Sequence, residues 1–369
     1  MNINKRVQVG NQMTEQQYRS IKDRLSYSSI KLFDTDRKAF YQQVILGEPR
    51  KEKESSALIS GSLVHLLLSI PEQFDEKFHI ASAQEPTGQM LELCEALYSR
   101  ALKSITDGVQ TEKFEVLFTD AVNSVKYDYN MKEVKFMGKN MEQIIALFTG
   151  TDKKGVTPEL WYKEKIDCIG KQMVSVGLIE SAEKIVEKIK VHPYTADIAN
   201  LQSDGEVEVF NELPILFELE GVEYKAMVDK LVVCHDINTI YIYDWKTTWQ
   251  IDHPQGSYLK YGYYLQAAMY RDAVRMWAKE HDLQHYIIEP MVFVFCDVSG
   301  FQAPVKLMLT DDDVDRACRG LLYRGIRYKG LRELQADIAW CLSTGDWGDS
   351  LELQKNNGCV PLQLRYGTL

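Results

Sequence analysis

The spacing of apolar residues changes character near residue 205. Before it they recur every three or four positions; after it they alternate. Leu25 to Gly47 reads as a helix. Ser26, Ser28 and Ser29 offer N-cap hydroxyls, and Ile30, Phe33, Phe40, Tyr41, Val44 and Ile45 form its apolar stripe. The charged stretch Glu48 to Glu54 reads as a loop. A second helix starts near Ser55, carries Gly61 to Leu68, and stops at Pro71. Residues 85–202 keep helical spacing through Leu91, Leu97, Ile144, Ile179, Ile185 and Ile189. From Gly205 the runs Glu206–Phe210, Ile215–Leu219, Tyr224–Val233 and Thr239–Thr248 alternate and are separated by short turns. They predict three or four successive antiparallel strands. Helix returns over Ser257–Glu280. Pro290–Val298 and Ala303–Leu309 read as a strand and its hairpin partner. Asp311-Asp312-Asp313 opens a long C-terminal helix, with acids at the positive end of its dipole.

This order predicts an α/β protein with a central mixed sheet flanked by helices. A mobile segment is expected at 1–24, core helices at 25–84, a helical insertion at 85–202, and the sheet with the C-terminal helices at 203–369.

Composition narrows the class. The 369 residues carry a net charge of −10, which argues against a polyanion-binding surface over the whole molecule but leaves room for a local basic groove. The longest apolar runs, such as Leu63–Ile70, fall far below the about 18 residues that span a bilayer. The polar, basic N-terminus lacks an apolar signal core, so a cytoplasmic protein with no membrane partner is expected. Seven scattered cysteines contain no CxxC pair, which predicts reduced thiols rather than a zinc ribbon or an iron–sulfur cluster.

The pointed chemistry lies in two runs. In Ile240–Thr248, residues two apart share a face, so Asp244 and Lys246 point with Ile240 and Ile242, while Tyr241, Tyr243 and Trp245 point the other way. On its own this could be a strand-end salt bridge. The preceding run Ala226–Val233 is almost wholly apolar with Asp229 inside it, and a polar turn at His235–Asn238 joins the two. Asp229 and Asp244 are therefore expected as neighbours across a hairpin. Two converging carboxylates repel unless a divalent cation sits between them, and hard oxygen donors suit Mg²⁺, or Mn²⁺ in its place, rather than Zn²⁺. Lys246 then has work at a phosphate: it can hold a nucleophilic water or neutralise developing charge. His65, alone in an apolar helix segment, is either a packed core residue or a further ligand. Gln266 and Tyr270 share one helix face and could hold a strand of substrate or simply pack.

In sequence order these residues read Gly61-xxx-His65, Val228-Asp229, Asp244-Trp245-Lys246-Thr247 and Gln266-xxx-Tyr270. The set resembles the RecB-like branch of the PD-(D/E)XK nucleases, whose motifs run GxxxH, a lone Asp, D-x-K-T and QxxxY. Leu25–Ile30 with Phe40-Tyr41, the segment Ala57–Ile80 and the run Val191–Tyr194 are similar to the phage and prophage exodeoxyribonuclease VIII group. The resemblance implies the PD-(D/E)XK fold, metal ligation by Asp229, Asp244, His65 and the Trp245 carbonyl, catalysis by Lys246 with these residues, and substrate binding by Gln266 and Tyr270. The branch's iron–sulfur members carry cysteines that this chain lacks.

The implied activity is an exonuclease on linear duplex DNA, running 5′ to 3′ and leaving tails for recombination with a single-strand annealing protein. A ring or tetramer of identical chains in a bacterial or phage-infected cell is also implied. A structure-specific endonuclease or flap nuclease, and an inactive DNA-binding scaffold, are the alternatives. Cleavage of closed circles separates the first from the exonuclease, and inertness on every DNA form would leave the last. DNA contact is also expected from basic residues off the centre. Arg316, Arg319, Arg324, Arg327, Lys329 and Arg332 lie on the expected C-terminal helix, with Tyr323 and Tyr328 between them, and read as a phosphate track or a solvated face. Arg37 and Lys38 are candidates for a 5′-phosphate.

Overall fold

The computed structural model describes residues 13, 15–48, 56–106, 113–128, 133–134, 136 and 138–359. By its internal packing the chain forms two units, Met1–Ile70 with Ala182–Leu369, and Pro71–Ser181.

The first unit is built on a mixed sheet. Its N-terminal helices are α1 (Glu15–Ser20), α2 (Tyr27–Thr35) and α3 (Ser56–Ser69). Three long strands follow as a meander: β1 (Val207–Leu219), β2 (Val222–Cys234) and β3 (Thr239–Thr248). Helix α4 (Tyr263–Glu280) crosses to β4 (Val292–Asp297), which returns as β5 (Val305–Met308). The strand order is β5-β4-β3-β2-β1, with the short strand Ile287–Ile288 beside β3. The β1–β2, β2–β3 and β4–β5 pairs are antiparallel, and β3–β4 is parallel. The order follows from connection length: the hairpin turns are short, whereas the parallel pair needs a helical crossover. Helix α4 is buried on almost every side, including Gln266, Tyr270, Ala273 and Trp277, so it is a core helix rather than a surface one. With Ile30, Phe33 and Phe40 it packs into one apolar cluster with the sheet.

The β1–β2 ladder contains the feature that makes the site. Inward-facing residues run Phe217, Ile215, Leu213 on β1 and Tyr224, Ala226, Val228 on β2. Beyond that point the inward set becomes Phe210 on β1 and Leu231, Val233 on β2, so the spacing slips from two to three on both strands. The unladdered pair at the slip is Glu212 and Asp229, flanked by Asn211↔Lys230 and Leu213↔Val228. Glu212 sits at φ 49°, a left-handed conformation uncommon for a side-chain-bearing residue and informative where it occurs. Both strands therefore turn over together, and the register survives.

Three expectations about elements are corrected. The helix at 25–47 breaks at Asp36, whose side chain caps a new turn at Arg37–Phe40 by accepting from Ala39 N, and a π-turn at Tyr41–Ile45 continues it. The helix at 257–280 is two, Pro254–Lys260 and α4, parted at Gly262. The long C-terminal helix is α5 (Asp311–Arg319), a hairpin of Leu321–Tyr323 with Ile326–Tyr328, and α6 (Leu331–Thr344). Gly320 and Gly330 allow the hairpin to leave at that point. A Cβ on Gly330 would lie 2.2 Å from Gly320 N, and Gly320 takes φ 103°. Arg324, Arg327, Tyr323 and Tyr328 thus lie on the hairpin rather than on a helix face. The expected mobile segment 1–24 and the loop from Glu48 fall partly outside the described residues; Glu15–Ser20 is helical.

The second unit is mainly helical. Helices Gln89–Thr106, Phe114–Lys126, Met141–Thr149 and Pro158–Asp167 bury Leu93, Leu97, Phe118, Ile144, Phe148 and Trp161 against each other. Strands Phe78–Ile80 and Gln172–Val174 pair in parallel. Glu164 clips the segment after the first strand. Its carboxylate accepts from Ser82 N, Ser82 Oγ and Ala83 N at 2.8–3.0 Å and meets His79 Nε2 at 2.8 Å. These bonds outweigh the burial that works against the charge and hold the acid down at about 2. Among the described residues no helix is long and apolar enough to cross a membrane.

Candidate active site

At the slip the outward face of β2 becomes its inward face, and the sheet opens there. The opening is a cavity of about 530 Å³, lined among others by His65, Glu212, Asp229, Asp244, Lys246 and Gln266. Glu212, Asp229 and Asp244 come from three neighbouring strands. The β2–β3 ladder stops at Lys230↔Tyr243, one pair short of Asp229 and Asp244. The Asp229 side chain replaces the missing backbone bond, its Oδ2 accepting from Trp245 N at 2.9 Å.

His65 stands over this join. Its Nε2 lies 2.7 Å from the Trp245 carbonyl and its Nδ1 lies 3.2 Å from Asp229 Oδ2. Both ring nitrogens therefore face acceptors. Gly61, one turn earlier on α3, is the reason the helix can come so close: a Cβ there would meet Thr247 Oγ1 at 3.3 Å.

Asp244 is wholly buried, as its place in line with Ile240 and Ile242 predicts. Its Oδ1 accepts from Gln266 Nε2 at 2.5 Å, and its Oδ2 pairs with Lys246 Nζ. Burial, and then the charge of Asp229, raise its carboxyl to about 6 despite Lys246. Burial disfavours the Lys246 charge, but Asp244 and Asp229 outweigh it and hold the ammonium above its ordinary value. The rings of Tyr263 and Phe293 flank that ammonium at 5.0 and 5.9 Å. Tyr270, one turn beyond Gln266, reaches the same cavity, and burial keeps its hydroxyl protonated.

The donor set fits a divalent metal. Ligand atoms of His65, Glu212 and Asp229 lie within 4.8 Å of one another. Asp244 is a fourth candidate donor on the next strand, its carboxyl raised first by burial and then by the charge of Asp229. Gln266 Oε1 is buried there with no hydrogen-bond partner among the described residues. Carboxylates this close are expensive without a cation, and their oxygens suit a hard one.

Glu212 escaped the sequence reading. In an unbroken alternation it belongs to the solvent side, and only the slip turns it toward Asp229. The visible signal is the spacing of three between the apolar residues Phe210 and Leu213, repeated at Val228 and Leu231.

Part of the cavity lining is cationic. Arg19 and Lys22, at and just beyond the end of α1, line the cavity with Lys225. Lys225 is also the anchor of α1: its Nζ donates to Tyr18 O at 3.1 Å and Ile21 O at 2.5 Å and lies over the Tyr18 ring. The basic residues singled out in the sequence lie elsewhere. Arg37 donates to Asp337 Oδ2 and the Asp349 carbonyl and stacks on Phe33, and Lys38 is exposed. Arg324 stacks over Tyr323 at the hairpin turn, and Arg327 holds Glu333 at 2.7–2.8 Å. None of these four lines the cavity.

No protein-family model matches the chain. No curated protein matches it. Among solved structures it is similar to a provisionally named exonuclease from Eubacterium rectale, at 14% identity over 97% of both chains, with a TM-score of 0.43. A score at that level does not establish a shared fold.

Proposed function

We propose that the chain is a divalent-metal-dependent DNA nuclease of the PD-(D/E)XK type, RecB-like branch, that digests linear duplex DNA from its ends. The observation that carries this reading is the row Glu212, Asp229, Asp244 on three adjacent strands, with Lys246 paired to the last member and Arg19, Lys22 and Lys225 lining the same cavity. Acids that repel one another, a half-buried ammonium and basic lining residues in one cavity match what phosphodiester hydrolysis requires: a place for a cation, charge stabilisation at the phosphate, and a grip on its neighbours.

Asp229, Asp244, His65, Glu212 and the Trp245 carbonyl would hold Mg²⁺, with Mn²⁺ as substitute. When bound, such an ion lowers the pKa of its water and neutralises phosphate charge. Lys246 is protonated and donates toward the attacked phosphate. Gln266 holds Asp244 by its Oδ1 and so fixes the direction of the other oxygen. Tyr270 extends that face of α4 toward the strand being cut. Arg19 and Lys22 hold flanking phosphates, and Lys38 and Arg324 are outer contacts. Arg37 and Arg327 contribute less, because carboxylates already hold them.

Digestion 5′ to 3′, tails for an annealing protein, a ring or tetramer of identical chains and a cytoplasmic place complete the proposal. The test compares end-labelled linear duplex with a covalently closed circle, in Mg²⁺ and in EDTA. Loss of label from the 5′ ends of the linear form in Mg²⁺ but not in EDTA, with the circle intact in both, is the expected result. Cleavage of the circle at a comparable rate would make the chain an endonuclease, and inertness on every form would make it a scaffold. Sedimentation of the same preparation measures the assembly.

A further inference from the structure

Lys246 is a charge set against aromatic rings. In the parallel ladder of β3 and β4 its register partner is Phe295, and the partner of Asp244 is Phe293. Paired residues share a face of the sheet, and both phenylalanines are fully buried. The lysine side chain, 17% exposed, runs beside these rings to line the cavity. Tyr263 completes the enclosure. Its ring stacks on Phe293 at 5.5 Å between centroids, with 23° between the planes, and lies 6.2 Å from Phe295. Lys246 Nζ is 5.0 Å from the centre of the Tyr263 ring.

The backbone fixes where that ring stands. Tyr263 is the first residue of α4, and Gly262 before it takes φ 70° to part α4 from the helix Pro254–Lys260. The break is pinned from α2: the Tyr27 hydroxyl donates to the Tyr261 carbonyl at 2.6 Å. On the other side Leu265 N donates to the Gly262 carbonyl at 2.9 Å. The same break that starts α4 therefore sets the Tyr263 ring over the lysine.

An ammonium has three donors on a flexible four-carbon stem, so its direction must be imposed from outside. Asp244 Oδ2 fixes one side of Lys246. A ring face attracts a cation from a second side and keeps out the water that would compete for it. We propose that Tyr263 is a positioning residue of the cleavage reaction, its ring face holding the Lys246 ammonium beside Asp244 so that the remaining donors meet the phosphate in the cavity. The proposal rests on the nuclease reading for the phosphate. The π-face acts here and the hydroxyl does not, so phenylalanine can replace Tyr263 and an aliphatic side chain cannot.

The test is steady-state digestion of linear duplex by the full chain in Mg²⁺. In Tyr263→Leu, kcat should fall about tenfold, with KM within about twofold of the parent. Tyr263→Phe should recover most of the loss. Tyr258→Leu removes another ring packed on Phe293, at 5.9 Å, and should leave kcat at the parent value. Thermal unfolding checks that each variant folds, and Tyr263→Met replaces a leucine variant that does not. A second readout needs no cleavage. In protein labelled with ¹³C at the lysine ε carbon, the resonance lost in Lys246→Ala identifies that side chain. Its ε protons should be shifted upfield by the ring, stay so in Tyr263→Phe, and return toward the ordinary lysine position in Tyr263→Leu. Unchanged kcat in Tyr263→Leu overturns the role. So does an equal loss in Tyr263→Phe or in Tyr258→Leu, or an ordinary lysine resonance in the parent. Cleavage by the parent separates the two readings. A parent that cuts, with Tyr263→Leu as fast, keeps the nuclease and removes the role of Tyr263. A parent that cuts no DNA in Mg²⁺ or Mn²⁺ removes the nuclease reading, and this role with it.

Discussion

Glu164 in the helical unit and Asp244 in the sheet unit are both carboxylates taken largely out of water, and the chain treats them in opposite ways. Four donors surround Glu164, and its acid falls to about 2. Asp244 has Gln266 and Lys246, but its complete burial, and then Asp229 beside it, lift its acid to about 6. A carboxylate that serves the fold is saturated with donors and prefers its charge. Asp244 is under-supplied by the protein, and that shortfall is what a bound cation would meet.

The sharpest break of this contrast is Lys246→Ala or Asp244→Asn. Either should lower cleavage of linear duplex by about 10³-fold or more while circular dichroism stays that of the parent. Glu212→Gln comes next. It should weaken Mn²⁺ affinity in calorimetry by about tenfold with the fold intact; unchanged affinity would take Glu212 out of the donor set. Glu164→Gln should act the other way round. It should cost about 2 kcal/mol of stability through lost charge-assisted bonds and leave the cleavage rate per folded molecule unchanged.

The pH responses should be smaller and of opposite sign. The folded-state value of Glu164 is depressed, so its contribution is present above the ordinary carboxylate value and fades as pH falls toward 2. Asp244 is raised, so in EDTA its charge burdens the fold above about 6, and that burden is relieved as pH falls below it. Hydrogen exchange over 158–167 and over 239–248 measures the two separately, and Asp244→Asn should abolish the second trend. Smallest of all, Arg327→Ala should change stability by less than about 0.5 kcal/mol, since an exposed ion pair is worth little.

Much of this contrast could be read from the chain. Strict alternation over Thr239–Thr248 placed Asp244 and Lys246 on one face, and the polar turn at His235–Asn238 set Asp229 across from them. The four-residue step from Gln266 to Tyr270 placed both on one side of α4. What escaped depended on irregularity. Glu212 needed the double slip of β1 and β2, which a fixed period cannot show. The hairpin at Leu321–Tyr328 looked helical because its basic and aromatic residues suit a helix surface; the glycines at 320, 325 and 330 were the signal against it. Arg19 and Lys22 sit in a polar stretch with no pattern, and their position comes from the Lys225 anchor far along the chain.

The way α3 lies on β3 sets an order of assembly. The acid row comes from one meander, residues 212–244, whose contacts are local and close quickly. His65 reaches the Trp245 carbonyl across 180 positions of sequence, a late contact by loop-closure entropy. A chain caught before that contact forms holds the acids without their histidine. Under the proposed nuclease reading, α3 docking, followed by stopped-flow refolding with and without Mn²⁺, should coincide with the onset of cutting.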